Sequence, residues 1–383
     1  MIFGILKENF VSERRVVLTP PAVQSLVSLG CTVYVERDAG VLSHFPDDEY
    51  RKAGGTIAYS AEEVVRRSDV VLKIAPPTEE ELEALREDQT LLSVLHLSIA
   101  RRKVMDLLLS KRTAAVALEL IENQHGDLSI VQAMSEIAGQ ISIHVAAHYL
   151  QAREGGRGIL LGSLPGVPAA TVVILGAGTV GRTAARAALG LGSRVVVLDK
   201  DLTRLREFEQ LFQWRITTAI ADRYFVERAV KEADVVIGAI LLKGEKTPHV
   251  VTEAMVKEMK PGSVIVDVSI DQGGCVETSR PTTLADPVFM LHGVTHYCVP
   301  NIPAAVPRTA TVCLSNTLLP YLQSMADIGV DAALRSDRGL SAAVCTYGGT
   351  CVNKAAARIF SVPSRALTEL PTMNSSLESR KRL

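Results

Sequence analysis

Short aliphatic runs recur along the chain, each separated from the next by a helical pattern. They cover residues 2–6, 32–36, 70–74, 91–95 and 114–118, then 172–175, 194–198, 235–239, 264–268 and 294–298. Most are apolar throughout rather than alternating, which requires a sheet covered on both faces. Such sheets are parallel and grow by right-handed βαβ units. Helical patterns at 20–29, 61–67 and 101–111 supply crossovers. The halves also look alike: "SDVVLKIAP" at 68–76 and "ADVVIGAIL" at 233–241 each place an Asp before a buried strand. The fold class is therefore α/β, with two doubly wound Rossmann-like domains.

Length agrees, since 383 residues suit two domains. The boundaries follow the pattern. Residues 134–152 form a long helical stretch, and "REGGRGILLGSLPGVP" at 153–168 is a Gly/Pro-rich loop with one short strand. The second sheet is complete at six strands. The segment after Pro303, loop and then helix, thus returns to the first domain. That gives a discontinuous first domain with a second inserted into it. The polar tail 371–383, ending Arg380-Lys381-Arg382, is expected to be disordered.

Charge narrows the partners. Lys+Arg is 41 and Asp+Glu is 42, a net charge of −1. This balance predicts neither a nucleic-acid nor an anionic-membrane partner. It also does little to oppose self-association, and with a mean hydropathy of +0.20 a homo-oligomer is expected. The six cysteines lack CxxC spacing and read as reduced cytosolic thiols. The N-terminal "MIFGILKE" reads as a strand rather than a signal peptide, and no run of about 20 uncharged apolar residues exists. A cytoplasmic location follows as the expectation. Only His144/His148 have metal-ligand spacing, and without a third ligand no metal is expected.

The sharpest motif is "TVVILGAGTVGRTAA". A buried strand ends at Leu175, then Gly176, Gly178 and Gly181 give G-x-G-x-x-G, with Thr179 and Val180 inside it. The first glycine makes the tight turn, the second admits a pyrophosphate, and the third lets helix pack on strand. Phosphates then meet the N–H groups of a helix N-terminus. The next strand ends in Asp199, which can accept bonds from adenosine ribose hydroxyls. A carboxylate there repels a 2′-phosphate and favours NAD over NADP. Lys200 and Arg204 lie close by and soften that preference.

Proton-transfer candidates stand past strand C-termini, where open α/β sheets place their sites. His96 in "SVLHLS" and Asp271 in "VIVDVSIDQGG" are two; each could equally be structural. Asp267, inside its strand, is a weaker candidate. Arg14, Arg15 and Lys73 could clamp a carboxylate or be ordinary charges.

On the stretches "LKENFVSERRVVLTP", "LLSVLHLS", "AMSEIAGQ", "GGRGILLGSLPGV", "GSVIVDVSIDQGGCVETSRPTT" and "VPNIPAAVPRTATVCLSNTLLPY", the chain resembles the alanine dehydrogenase family, relatives of the NAD-binding subunit of nicotinamide nucleotide transhydrogenase. The resemblance implies NAD-dependent interconversion of L-alanine with pyruvate and ammonia, an NAD domain of 131–304 inserted in a substrate domain of 1–130 and 305–370, and a hexamer or dimer. By it, Arg15 matches the arginine that grips the substrate carboxylate, His96 the acid/base and Asp271 the catalytic aspartate. Met134 and Ser135 match a pair near nicotinamide and phosphates, and Asn301 the asparagine beside the nicotinamide.

There are departures. Where the family reads Lys-Val-Lys-Glu-Pro this chain has Lys73-Ile74-Ala75-Pro76-Pro77, so the substrate-contacting second lysine is Ala75. Lys73 aligns with the first lysine and stays a substrate candidate only as a cation at a strand end. The family's aromatic before the histidine is Val94, and its methionine after the asparagine is Ile302. A lost charge-assisted bond weakens binding by about 1.5–3 kcal/mol. These changes leave two alternatives open. One is an imine reductase, or a dehydrogenase for another amino acid, using NAD(P)H. The other is a transhydrogenase-like nucleotide-binding module without catalysis of its own, although that branch usually lacks the His96 and "DQGG" features kept here.

Overall fold

The computed structural model describes residues 1–8, 13–241 and 246–373. Most of the tail expected to be disordered, 374–383, lies outside them. The chain packs as two units. Unit 1 begins with Met1–Met134 and resumes at Val306; unit 2 is Ser135–Ala305.

The strands, in chain order, are β1 (Ile2–Ile5), β2 (Thr32–Glu36), β3 (Thr56–Ala58), β4 (Val70–Leu72), β5 (Thr90–Ser93) and β6 (Ala114–Ala117) in unit 1. Unit 2 holds β7 (Thr171–Leu175), β8 (Arg194–Asp199), β9 (Thr217–Ile220), β10 (Val235–Gly238), β11 (Val264–Asp267), β12 (Val288–Leu291) and β13 (Val294–Tyr297). Back in unit 1 are β14 (Val344–Tyr347) and β15 (Thr350–Cys351). Four helices carry the argument: α1 (Pro20–Ser28), α2 (Ser129–Tyr149), α3 (Thr179–Gly190) and α4 (Pro307–Ile328).

Unit 1 is an eight-stranded sheet in the order β15-β14-β6-β5-β4-β1-β2-β3. The strands from β6 to β3 pair in parallel, and β14 joins β6 antiparallel. Its strands β4, β5 and β6 are buried along their whole length. One face is closed by α1 and α4, which share a core cluster with Phe3, Ile5, Val33 and Leu72. Helix α1 starts where it does because the Thr19 side chain accepts the Ala22 N–H and Pro20 presets the first turn.

Unit 2 is a seven-stranded sheet, β12-β13-β11-β10-β7-β8-β9. Its parallel strands gain β12 as an antiparallel edge on β13, so the expected total of six is corrected to seven. The long helix runs Ser129–Tyr149, earlier at both ends than the expected 134–152. Gly139 on α2 lets it lie against α3, since a Cβ there would strike the Thr183 hydroxyl and the Val180 carbonyl. Valine, leucine, alanine and isoleucine dominate all the cores, as an aromatic content of only 4% requires.

Each sheet reverses its winding once. In unit 1 the chain leaves β1 toward β2 on one side and β4 on the other; in unit 2 it does so at β7, between β8 and β10. The carboxyl ends of strands at such a switch point form a natural crevice.

Candidate active site

In unit 2 the glycine turn links β7 to α3. Gly176 sits at φ +112°, and a Cβ there would strike the Ala239 carbonyl at the end of β10. Gly181 packs on the Gly176 carbonyl, leaving no room for a side chain. Gly178 differs: a Cβ there meets nothing within 4 Å. As the N-cap of α3 it has no side chain to spend on the first N–H groups of Thr179 and Val180. The tight places pack the turn, and the open one leaves an N–H-lined cradle. A dinucleotide pyrophosphate fits that donor set.

Asp199 closes the cradle. It ends β8, its Oδ2 accepts the Ala177 N–H at 2.6 Å and its Oδ1 accepts the Asp201 N–H at 2.9 Å. The carboxylate is thereby aimed by the turn it helps to shape. Lys200 and Arg204 are exposed, and Arg204 leans toward Asp201 at 3.8 Å.

Asp271 stands on the 3₁₀ turn Val268–Gln272 after β11, and its Oδ1 accepts the Asn301 N–H at 3.0 Å. Asn301 holds φ +54°, so a left-handed turn presents that N–H. The turn itself hangs on Asp267. This fully buried carboxylate accepts N–H groups from Ser269 (3.1 Å), Cys275 (3.0 Å) and Val276 (3.2 Å). Burial pushes its pKa up, against the Cys275 and Val276 N–H groups that favour the charged form. Ser135 is half-buried on α2, and Ile302 is buried in the unit 2 core.

In unit 1, Arg15 is buried, and Glu13 grips its fork through Nε at 2.7 Å and one terminal nitrogen at 2.5 Å. The other terminal nitrogen faces the Met134 sulfur at 3.2 Å. Arg14 is exposed. A guanidinium held on one edge keeps the rest of its planar donor array oriented, the geometry that suits a carboxylate. His96 follows β5 with its side chain exposed, between buried Leu95 and Leu97.

Lys73 requires a correction. It was a candidate substrate clamp, but it is fully buried with its Nζ 2.9 Å from Glu81 and 3.4 Å from Glu8. Burial opposes its charge, yet the two carboxylates outweigh that and raise it above the ordinary lysine value. Its ammonium is committed inside the protein. Glu8, missed in the sequence, also accepts the N–H groups of Ile74 (2.6 Å) and Ala75 (3.1 Å). Burial pushes its carboxyl up to about 7, although Lys73 pulls the other way. The signal was its place just past β1, at the switch point. Ala75 is buried and Val94 half-buried.

Residues 4–138 match the family described as alanine dehydrogenase/PNT, N-terminal domain, and residues 142–354 match alanine dehydrogenase/PNT, C-terminal domain. The chain belongs to the alanine dehydrogenase/PNT family. It is 42% identical over 363 residues to the alanine dehydrogenase of Mycolicibacterium smegmatis, covering 95% of this chain and 98% of that one. With the alanine dehydrogenase of Staphylococcus haemolyticus it shares 44% over 361 residues, 94% and 96% of the two chains. Its fold superposes on a solved L-alanine dehydrogenase with a TM-score of 0.90 at 40% identity, covering 94% and 99%. A transhydrogenase from Sinorhizobium meliloti gives 0.80 at 25% identity, covering 93% and 100%. Within this family the two-domain architecture is the shared frame. No helix among the described residues is long and apolar enough to cross a membrane.

Proposed function

We propose that the protein is an NAD(H)-dependent L-alanine dehydrogenase, converting L-alanine, NAD⁺ and water to pyruvate, ammonium, NADH and a proton, and running in reverse. Two observations in unit 1 carry this reading: an Arg15 fork fixed by Glu13, and an exposed His96 on a constrained turn past β5. Relatives named alanine dehydrogenase along nearly their whole length support it.

When bound, the nicotinamide ring supplies the acceptor for a hydride from Cα. Gly176, Gly178, Thr179, Val180 and Gly181 would cradle the pyrophosphate, and Asp199 would take the ribose hydroxyls. Ser135 and Asn301 would lie along the nicotinamide end. Arg15 holds the substrate carboxylate. His96 takes a proton from the amine and passes it to solvent, then takes one from the water that attacks the imine carbon and returns it to the departing nitrogen. Asp271, whose carboxylate accepts the Asn301 N–H within unit 2, is assigned as the catalytic aspartate. We also propose NAD as the natural cofactor, a cytoplasmic location and a homo-oligomer, hexamer or dimer.

A second reading concerns the substrate. Ala75 offers no cation, and Lys73 is committed to Glu8 and Glu81, which favours a different amino acid or an imine. The deciding experiment follows NADH formation with L-alanine at alkaline pH beside a panel of keto acids with ammonia. Turnover of alanine supports the main reading; no alanine turnover beside turnover of another substrate replaces it with the second.

A further inference from the structure

We infer that Glu119 is the positioning residue for His96, acting by fixing the main chain rather than by touching the reacting atoms. The inference rests on the proposed dehydrogenase reading, because a positioned acid/base needs a reaction to serve.

His96 stands at φ +43°, in the left-handed region, with a full side chain. Such a conformation is costly and persists only where its surroundings over-determine it. On one side, the His96 carbonyl accepts the N–H groups of Ile99 (3.0 Å) and Ala100 (3.1 Å). On the other, the Glu119 carboxylate accepts the His96 N–H at 2.8 Å and the Leu95 N–H at 3.1 and 3.2 Å. Both main-chain polar groups of His96 are thus tied, and its imidazole remains exposed.

Strand register puts Glu119 there. β5 and β6 run parallel with Ser93 opposite Ala117, so Leu95 and Glu119 each lie two residues beyond that last pair. The 3₁₀ turn Leu118–Leu120 carries the carboxylate where the ladder stops. It then does what a further β6 carbonyl would do for an extended strand, but for a strand that turns. A charged acceptor for two N–H groups is stronger than a neutral one. Without it the left-handed turn loses its tie, and the imidazole loses its direction.

The test uses the full chain and the amino acid the wild type turns over. Wild type, E119A, E119Q, H96A and E119A/H96A are compared by kcat, KM, NADH affinity and thermal melting. We expect E119A to lower kcat about 100-fold, the cost of misplacing a catalytic group by about an ångström. KM for the amino acid and NADH affinity stay near wild type. E119Q, whose amide oxygen still accepts, recovers much of the rate. The double variant is no slower than H96A, because both changes remove one function. Wild-type kcat in E119A, or losses that multiply in the double variant, would overturn the inference. If E119A does not fold, E119D, shorter by one methylene, decides: lowered kcat with unchanged NADH affinity supports it, and wild-type kcat overturns it. An H96A enzyme with full turnover would overturn the functional reading and this inference together. An inactive H96A beside a fully active E119A would overturn this inference alone.

Discussion

The Lys73 ammonium lies 2.9 Å from the Glu81 carboxylate, and both side chains are buried beneath the strand ends of unit 1. With Glu8 on its other side, Lys73 is the counter-charge for two carboxylates. Replacing it by methionine keeps the volume and strands both. Removing one partner of a buried ionic group costs about 3–5 kcal/mol. K73M should therefore unfold at markedly lower urea. A variant of wild-type stability but raised KM for the amino acid would return Lys73 to the substrate.

Glu8 gives a pH dependence of definite sign. Its carboxyl rises from 4.5 to about 7 on folding, with burial as the main cause. The folded state then binds the proton more tightly than the unfolded state. The stabilising difference is fully present below pH 4.5 and is lost as pH rises through 7. An uncharged E8Q variant escapes this loss. Relative to wild type, E8Q should gain up to about 3 kcal/mol between pH 4.5 and 8. Urea unfolding at the two pH values checks it, and a constant difference would refute it.

Asp199 should set the cofactor choice. D199N keeps an acceptor for the Ala177 N–H and drops the charge that repels a 2′-phosphate. The ratio of kcat/KM for NAD over NADP should fall about tenfold or more, the worth of one charge-assisted bond. An unchanged ratio would place cofactor discrimination elsewhere.

Asp267 holds both ends of the loop that carries Asp271. D267A leaves the N–H groups of Ser269, Cys275 and Val276 without their acceptor in a buried place. Each such loss costs about 1–3 kcal/mol. Unfolding should shift by more than one such loss, and kcat should fall through Asp271. Full activity with wild-type stability would contradict this role.

The sequence was readable where chemistry and position coincide. β7, β10 and β11 are buried on both faces, so each shows as an unbroken aliphatic run. The glycine turn is legible because each glycine answers a local demand. β3, β9, β12, β14 and β15 were passed over: the first three are short or edge strands, partly exposed, while buried β14 and two-residue β15 follow a segment that reads as loop and helix. The roles of Glu8 and Glu119 were hidden for another reason. An acid past a strand end looks solvent-exposed until register shows whose N–H groups it meets. Lys73 misled in the same way, since its partners lie on other segments.

The central claim is that His96 works with Arg15 in an NAD-dependent oxidation of L-alanine. Steady-state NADH formation from L-alanine at alkaline pH, wild type against H96A with NADH affinity measured alongside, tests it most directly. The account predicts turnover by wild type and a loss in H96A of about 100- to 10,000-fold, the usual worth of a general acid/base, with NADH still bound. Undiminished turnover in H96A, or no alanine turnover by wild type, would contradict it.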